Sequence, residues 1–324
     1  MNKNSNNNTK LNILKNTIKE QIIGQESLIE NLLVCLLADG HMLIEGMPGL
    51  AKTTAAKAIA EGMEGNFHRI QFTPDLLPSD LIGTEIYTHE TGSFVFREGP
   101  LFNNIVLADE INRAPAKVQS ALLEAMAERQ VTVGHKTYQL PELYMVLATQ
   151  NPVEQEGTYR LPEAQLDRFL MYIVVDYPTF AEELQIIELD TNKISKGQKN
   201  KLIAATSQQE IFEARKSVQE IHISDSLKEY IATLVVASRQ PKEYDQQLAS
   251  WIMYGASPRA TLALIRTSKA LAWLRGDEYV TPTHIQTMAP YVLAHRIILT
   301  FEAEAKAISR NDIVAKLLEV VAVP

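Results

Sequence analysis

The sequence contains very little cysteine: Cys35 is the single one among 324 residues. One thiol cannot form a disulfide within the chain, which favours a reducing compartment. Apolar runs are short as well, and none approaches the roughly 18 residues that a membrane-spanning helix needs. The polar start, MNKNSNNNTK, lacks the apolar segment of a secretory signal. We therefore expect a cytoplasmic protein without stable membrane insertion.

Positive charge is scarce in the first half of the chain. Residues 1–178 carry 14 Lys and Arg against 22 Asp and Glu, whereas the remainder carries 17 of each. Because proteins neutralise nucleic-acid backbones mainly with Lys and Arg, this balance argues against a nucleic-acid partner, although a local basic loop stays compatible with it. The 46% hydrophobic and 22% charged content is that of a globular protein and excludes a mainly disordered chain.

Length and patterning predict two domains. Between residues 11 and 178 short apolar runs alternate with helical stretches, which predicts an α/β domain with a mostly parallel sheet. The predicted strands are 42–44, 67–71, 105–108, 144–148 and 169–175, with helices at 52–62 and 115–129. The Asn-rich residues 1–10 are expected to be disordered.

Helix-capping signals dominate after residue 178. They predict an all-helical domain over residues 179–324. The signals are Thr179 with Glu182, Ser226 with Glu229, Ser257-Pro258 closed by Gly276, and Thr281-Pro282.

Residues 46–53 read GMPGLAKT and follow a predicted strand. The segment matches the phosphate-loop pattern GxxxxGK[ST], except that Ala51 replaces the second Gly. Backbone N–H groups of such a loop and of the next helix bind phosphate oxygens; Lys52 would reach the β- and γ-phosphates, and Thr53 would ligate Mg²⁺. The alternative is a glycine-containing turn before an ordinary helix. The predicted ATP-binding residues here are Gly46, Pro48, Gly49, Leu50, Ala51, Lys52, Thr53 and Thr54.

The conformation of Ala51 is a further expectation. Its methyl group is compatible with the loop if its φ is negative, and we expect a negative φ at the start of a helix.

Two later strands are expected to end in polar side chains beside this loop. The run 105–108 delivers Asp109 and Glu110 at its carboxyl end, where α/β sheets bind ligands. Asp109 would hold Mg²⁺, and Glu110 would orient and activate a water for attack on the γ-phosphate. The run 144–149 leads to Asn151, whose side-chain amide can hydrogen-bond both the attacking water and a phosphate oxygen. Taken alone, an Asn before Pro is more simply explained as a turn or helix-cap residue.

Taken in order, these segments resemble the AAA+ ATPases, and more closely the MoxR family of the helix-2-insert type, which is related to magnesium chelatase ATPase subunits. The resemblance spans residue 11 to beyond 300 and implies a P-loop NTPase core with a helical lid, here residues 179–324. The similar stretches are 23–25, 46–53, 109–115, 148–152, 161–169 and 255–259.

The resemblance also implies roles for individual residues. Ile23 and Gly24 match the segment beside the adenine, and Asn151 matches the sensor-1 residue. Arg168 matches the arginine finger that reaches the neighbouring subunit's nucleotide, with Arg113 and Arg160 as rivals for that role. Arg259 matches sensor 2. It falls in the first turn of a lid helix, where the helix dipole does not favour a cation, so a phosphate opposite it would explain its place.

Two predicted hairpins, 86–88 with 94–96 and 131–133 with 137–139, match inserts that MoxR-like proteins carry near the axial face of a ring. By resemblance we expect an ATPase that binds ATP between the α/β domain and the lid and assembles as a homo-oligomer in the form of a hexameric ring. It would remodel or mature protein clients, including metal-cofactor insertion, with a von Willebrand factor A-domain protein as partner. The alternatives are a nucleotide-gated scaffold with little hydrolysis and, less compatible with the charge, a nucleic-acid motor.

Overall fold

The strands form one large sheet and three two-stranded ladders in the computed structural model, which describes residues 3–20, 22–47, 49–89, 92–151, 159, 161–196 and 206–324. In chain order they are β1 Met42–Gly46, β2 Phe67–Gln71, β3 Gly83–Thr88, β4 Ser93–Glu98, β5 Ile105–Asp109, β6 Gln130–Val133, β7 Lys136–Gln139, β8 Met145–Gln150, β9 Met171–Val175, β10 Ile252–Tyr254 and β11 Ile298–Leu299.

The large sheet is parallel throughout, in the order β2-β5-β8-β1-β9. Its three inner strands, β5, β8 and β1, are mostly apolar on both faces because helices cover both sides, whereas the edge strand β2 carries exposed polar residues. In β1, Met42 and Ile44 pack into one apolar core and Leu43 into the other. The predicted α/β class with a parallel sheet is therefore confirmed.

Helices precede and separate the strands and make up most of the C-terminal part of the chain. They are α1 Lys3–Lys19, α2 Glu26–Leu37, α3 Lys52–Gly62, α4 Pro78–Ile82, α5 Ala116–Glu128, α6 Glu163–Leu166, α7 Phe180–Lys196, α8 Gln208–Glu220, α9 Asp225–Arg239, α10 Gln246–Trp251, α11 Pro258–Arg275, α12 Pro282–Leu293, α13 Phe301–Ala305 and α14 Arg310–Val320. Among the described residues, no helix is both long and apolar enough to cross a bilayer.

The lid packs on the sheet domain through a shared core. The cluster that contains Met42 and Ile44 also contains Ile231, Leu264 and Leu293 from α9, α11 and α12. Helix α11 begins as predicted, since Ser257 caps it by accepting a hydrogen bond from the Arg259 amide at 3.1 Å. The same helix ends at Gly276, whose φ is 85°.

The two predicted hairpins are present as β3–β4 and β6–β7. They contact each other through Phe96 and Tyr138, whose rings stack with centroids 4.0 Å apart. The two inserts therefore touch and do not project separately.

Two local predictions are wrong. The segment predicted as a disordered tail is helical from Lys3, because α1 is anchored by buried Leu14 and Ile18 and extending a helix costs far less than starting one. Helix α9 is capped by Ser224, not by Ser226; the Ser224 hydroxyl accepts from the Leu227 amide at 3.3 Å.

Candidate active site

A cavity of about 260 Å³ lies where the strands of the large sheet end, at their carboxyl edge. We call it the carboxyl-edge cavity. Pro48 lies outside the described residues. The predicted residues that line the cavity are Gly46, Gly49, Leu50, Ala51, Lys52, Thr53, Thr54, Asp109, Glu110 and Asn151.

The phosphate loop closes on its own lysine. Lys52 Nζ donates to the Gly46 carbonyl oxygen at 2.5 Å, and the lysine is largely buried. Burial lowers the pKa of Lys52, while the nearby Asp109, Glu110 and Glu45 carboxylates act in the opposite direction. Gly49 has φ of 88° and open space where a Cβ would stand, so a ligand can approach its backbone. The loop therefore offers a cation beside an accessible backbone, which suits a phosphate.

Ala51 departs from expectation. Its φ is +55° and its ψ is 12°, in the left-handed region, whereas a negative φ was expected. The helix proper starts one residue later, at Lys52, so Ala51 still belongs to the loop. The backbone turn of the loop requires the conformation that glycine adopts at this motif position, and the alanine adopts it under strain.

Asp109 is held by two neighbours at the end of β5. Its Oδ2 accepts from Arg69 Nε at 2.9 Å and from Arg69 Nη2 at 2.6 Å. Its Oδ1 accepts from the Thr149 hydroxyl on β8, and that hydroxyl in turn accepts from the Glu110 amide at 2.9 Å. The carboxylate is thus oriented from the strands on either side.

Glu110 is similarly occupied. Its Oε2 accepts from Gln71 Nε2 at 2.5 Å and from Arg113 Nη1 at 3.0 Å. The residue has φ of 58°, which directs the chain into a short 3₁₀ turn immediately after the strand. Both contacts fall on Oε2, so Oε1 is the oxygen that can bind a water without displacing Gln71 or Arg113. Arg113 therefore neighbours the chain's own Glu110.

The donor set fits Mg²⁺. The Thr53 hydroxyl and the Asp109 carboxylate are hard oxygen ligands on the same cavity wall. Mg²⁺ retains several waters and takes few protein ligands when phosphates supply the others, so two such groups suffice. The Arg69 contact to Asp109 Oδ2 leaves the ligand role to Oδ1 or requires Arg69 to turn aside.

The segment predicted to lie beside the adenine is near the same edge. Gln25 Nε2 donates to the carbonyl oxygen of Asp176, the residue after β9, at 3.2 Å. Ile23 is half-buried, and a Cβ on Gly24 would stand 3.0 Å from Glu182 Cδ of α7. The first lid helix therefore approaches Ile23 and Gly24 at the carboxyl edge.

Arg168 and Arg259 lie elsewhere. They line a second cavity of about 450 Å³, together with Gly40 and His41, which precede β1, and Leu170, which precedes β9. Because β1 and β9 are parallel, this amino-edge cavity is one strand length from the phosphate loop. β1 has five residues, so the separation is about 16 Å at about 3.3 Å per residue. Arg160, the remaining rival, lies outside the described residues.

Three further residues that contact Asp109 or Glu110, namely Arg69, Gln71 and Thr149, have no role assigned by the sequence motifs. Arg69 and Gln71 are two residues apart on β2, so their side chains lie on the same face of the strand. At the end of β5, Asp109 pairs in register with Gln71. The sequence does place two polar residues, two positions apart, at the end of the predicted strand 67–71. Only the order of the strands in the sheet shows that this strand lies beside the one that carries Asp109 and Glu110.

The fold, with its cavity and its lid, is consistent with the families and proteins to which this chain is similar. Sequence models described as the ATPase family associated with various cellular activities (AAA) and as an AAA lid domain match residues 41–171 and 249–317. Chaperone MoxR1 of Mycobacterium tuberculosis is 44% identical over 308 residues, covering 95% of this chain and 80% of that protein. Protein MoxR of Methylorubrum extorquens is 32% identical over 295 residues, covering 87% and 85%. The solved structure of an ATPase candidate from Cytophaga hutchinsonii superposes with a TM-score of 0.92 at 46% identity, over 99% of this chain and 97% of that one. The chain therefore belongs to the MoxR family of AAA+ ATPases.

Proposed function

We propose that the protein is a Mg²⁺-dependent ATPase that works as a homo-oligomeric ring, hexameric by family resemblance, in the cytoplasm. The observation that carries the proposal is the convergence of Lys52, Asp109, Glu110 and Asn151 on one cavity with the phosphate loop.

Each residue has a role in phosphoryl transfer to water. Lys52 and the loop N–H groups hold the β- and γ-phosphates, and Mg²⁺ bound by Thr53 and Asp109 would neutralise charge on the phosphate oxygens. Glu110 accepts a proton from the attacking water. Asn151 holds that water or a γ-phosphate oxygen by hydrogen bonding.

Arg168 and Arg259 serve a neighbouring subunit in this proposal. Both line the amino-edge cavity, about 16 Å from the loop of their own chain, which is farther than an arginine side chain spans. A head-to-tail ring would place one subunit's amino edge against the next subunit's carboxyl edge. A guanidinium supplied in this way stabilises the charge that develops on the transferring phosphoryl group, and it accelerates hydrolysis by about 10³–10⁵-fold.

The test separates binding from turnover. Glu110→Gln is expected to retain ATP binding and to lose at least about 100-fold in steady-state hydrolysis, as the loss of a general base does. Glu124→Gln, an exposed glutamate on α5, is the matched control and should behave as the unmodified protein. Full hydrolysis by Glu110→Gln would refute the mechanism. Binding without hydrolysis in the unmodified protein would favour a nucleotide-gated scaffold.

We further propose protein clients, in line with the name of the Mycobacterium relative, Chaperone MoxR1. The stacked hairpins expose Phe94 and Tyr87, which offers apolar contact area on one side of the domain. By family resemblance the partner is a von Willebrand factor A-domain protein, and the work on the client includes metal-cofactor insertion. Proteins retained on the ATP-loaded Glu110→Gln variant, compared with nucleotide-free protein, identify the clients; retention of nucleic acid instead would point to the alternative motor.

A further inference from the structure

One carboxylate in the amino-edge cavity belongs to the loop that carries Arg168 and contacts side chains of the lid. We propose that Asp167 is a positioning residue that holds Arg168 and Arg259 as a single preassembled pair for the phosphates of a neighbouring subunit. This inference rests on the proposed action of these arginines in trans and deepens it.

Asp167 accepts hydrogen bonds from three side chains of the lid. Ser257 Oγ lies 3.0 Å from Oδ1 and 2.9 Å from Oδ2, and Arg296 Nε lies 2.9 Å from Oδ1. Arg259 Nη1 approaches Oδ2 at 3.5 Å. Asp167 itself ends α6 and precedes Arg168 directly, so these contacts tie the lid to the arginine-bearing loop.

Arg296 holds the backbone of the loop that carries Arg168. Its guanidinium also donates to the carbonyl oxygens of Phe169 at 2.6 Å, Leu170 at 3.2 Å and Asp167 at 3.3 Å. The Arg296 side chain is only 3% exposed, and burial lowers its pKa to about 10 while Asp167 opposes that shift. A buried cation with this many acceptors holds the backbone on both sides of Arg168 in one conformation.

Ser257 fixes the other arginine. Its hydroxyl donates to Asp167 and accepts from the amide of Arg259, so one oxygen connects the carboxylate to the first turn of α11. The start of α11 is thereby set relative to Arg168.

The two arginines paired with Asp167 differ in how firmly they are held. Arg259 is 57% exposed and its contact is long, whereas Arg296 is buried and its contact is short. An exposed ion pair of that length is weak, so Arg259 can turn from Asp167 to a phosphate. Arg296 stays with Asp167 and keeps the loop in place.

The first test uses Asp167→Asn, with Glu30→Gln as the matched control. Glu30 also links the sheet domain to α11, through Arg275 at 3.2 Å, but at the opposite end of that helix. We expect Asp167→Asn to bind ATP with unchanged affinity and to lose about tenfold or more in turnover, as part of an arginine-finger contribution is lost. Glu30→Gln should lose neither. Unchanged turnover in Asp167→Asn would overturn the inference.

Mixing experiments show in which subunit Asp167 acts. Lys52→Ala subunits, which have intact arginines but an inactive loop, are mixed in equal amounts with Asp167→Asn subunits. About a quarter of the interfaces then combine two intact halves under random mixing, and activity should rise to about that fraction of the unmodified protein's. A parallel mixture of Lys52→Ala with Arg168→Ala tests the trans role itself.

The mixtures distinguish the two proposals. Rescue of Arg168→Ala without rescue of Asp167→Asn would overturn the role of Asp167 and leave the trans mechanism standing. Failure of both would overturn the trans mechanism and the inference with it.

If Asp167→Asn does not fold, Ser257→Ala replaces it, with Ser224→Ala as a control that removes an N-cap hydroxyl alone. A turnover loss in Ser257→Ala that mixing rescues, and that Ser224→Ala lacks, supports the inference. Equal turnover in the two serine variants would overturn it.

Discussion

Replacing Ala51 by glycine is expected to relieve strain in the phosphate loop. An L-residue in the left-handed region at φ +55° costs about 1–2 kcal/mol, a cost that glycine does not incur. Against this, glycine loses about 0.5–1 kcal/mol more conformational entropy on folding, and removing a half-buried methyl group costs at most about 0.8 kcal/mol. We therefore expect Ala51→Gly to change the free energy of unfolding by about −0.8 to +1.5 kcal/mol, centred slightly above zero, whereas alanine-to-glycine changes in helices are destabilising.

Two further alanine-to-glycine variants separate the backbone strain at Ala51 from the conformational-entropy cost that any glycine brings. Ala232 is exposed in the middle of α9, and Ala232→Gly should cost about 1 kcal/mol, the usual difference in helix propensity. Ala307 is exposed with φ of 55°, so Ala307→Gly should stabilise the protein. Because the entropy cost is common to all three variants, Ala51→Gly should be about 0.2–2 kcal/mol more stable than Ala232→Gly, which is the strain relieved less the methyl burial lost.

Urea denaturation of the three variants beside the unmodified protein, without nucleotide, measures these differences directly. A loss of stability in Ala51→Gly equal to that in Ala232→Gly would refute the reasoning, because it would mean that the left-handed conformation at Ala51 stores no strain. A gain in Ala307→Gly in the same experiment would show that the method detects such strain elsewhere in the chain.

Two other outcomes are expected. Burial lowers the pKa of His41 to about 4, so between pH 6.5 and pH 4 the unfolded chain binds more protons than the folded one and stability falls with falling pH. His41 alone should reduce the free energy of unfolding by about 2 kcal/mol between pH 7.5 and pH 5, and urea titrations that agree at both pH values would contradict this. For the stacked rings, a double-mutant cycle of Phe96→Leu and Tyr138→Leu should give a coupling of about 0.5–1.5 kcal/mol; additive effects would mean that the hairpins do not support each other.

Contiguous motifs made the phosphate site predictable. The segment 46–53 and the pair Asp109-Glu110 each carry their chemistry within a few residues, and each follows a strand whose apolar run is visible in the sequence. The structure accordingly brings Lys52, Asp109 and Glu110 into one cavity.

The contacts of Asp109 and the position of Arg259 could not be predicted from the sequence, because they depend on which strands are neighbours in the sheet. Arg69 is 40 residues from Asp109 along the chain and meets it because β2 lies beside β5. The separation of Arg259 from the phosphate loop likewise follows from packing of α11 at the amino ends of β1 and β9. The left-handed φ of Ala51 is a property of how the loop closes, which composition alone does not determine.

The two cavities at opposite edges of one sheet give the subunit a direction. If Arg168 and Arg259 act in trans as proposed, the subunit at one end of a head-to-tail row presents a phosphate loop without a neighbour's arginines, and the subunit at the other end presents arginines without a neighbour's phosphates. An open row thus always has one complete site fewer than it has subunits, and closing it adds a site without adding a subunit. Activity per subunit would therefore step upward at ring closure, and a single break in the ring would silence one site at the seam.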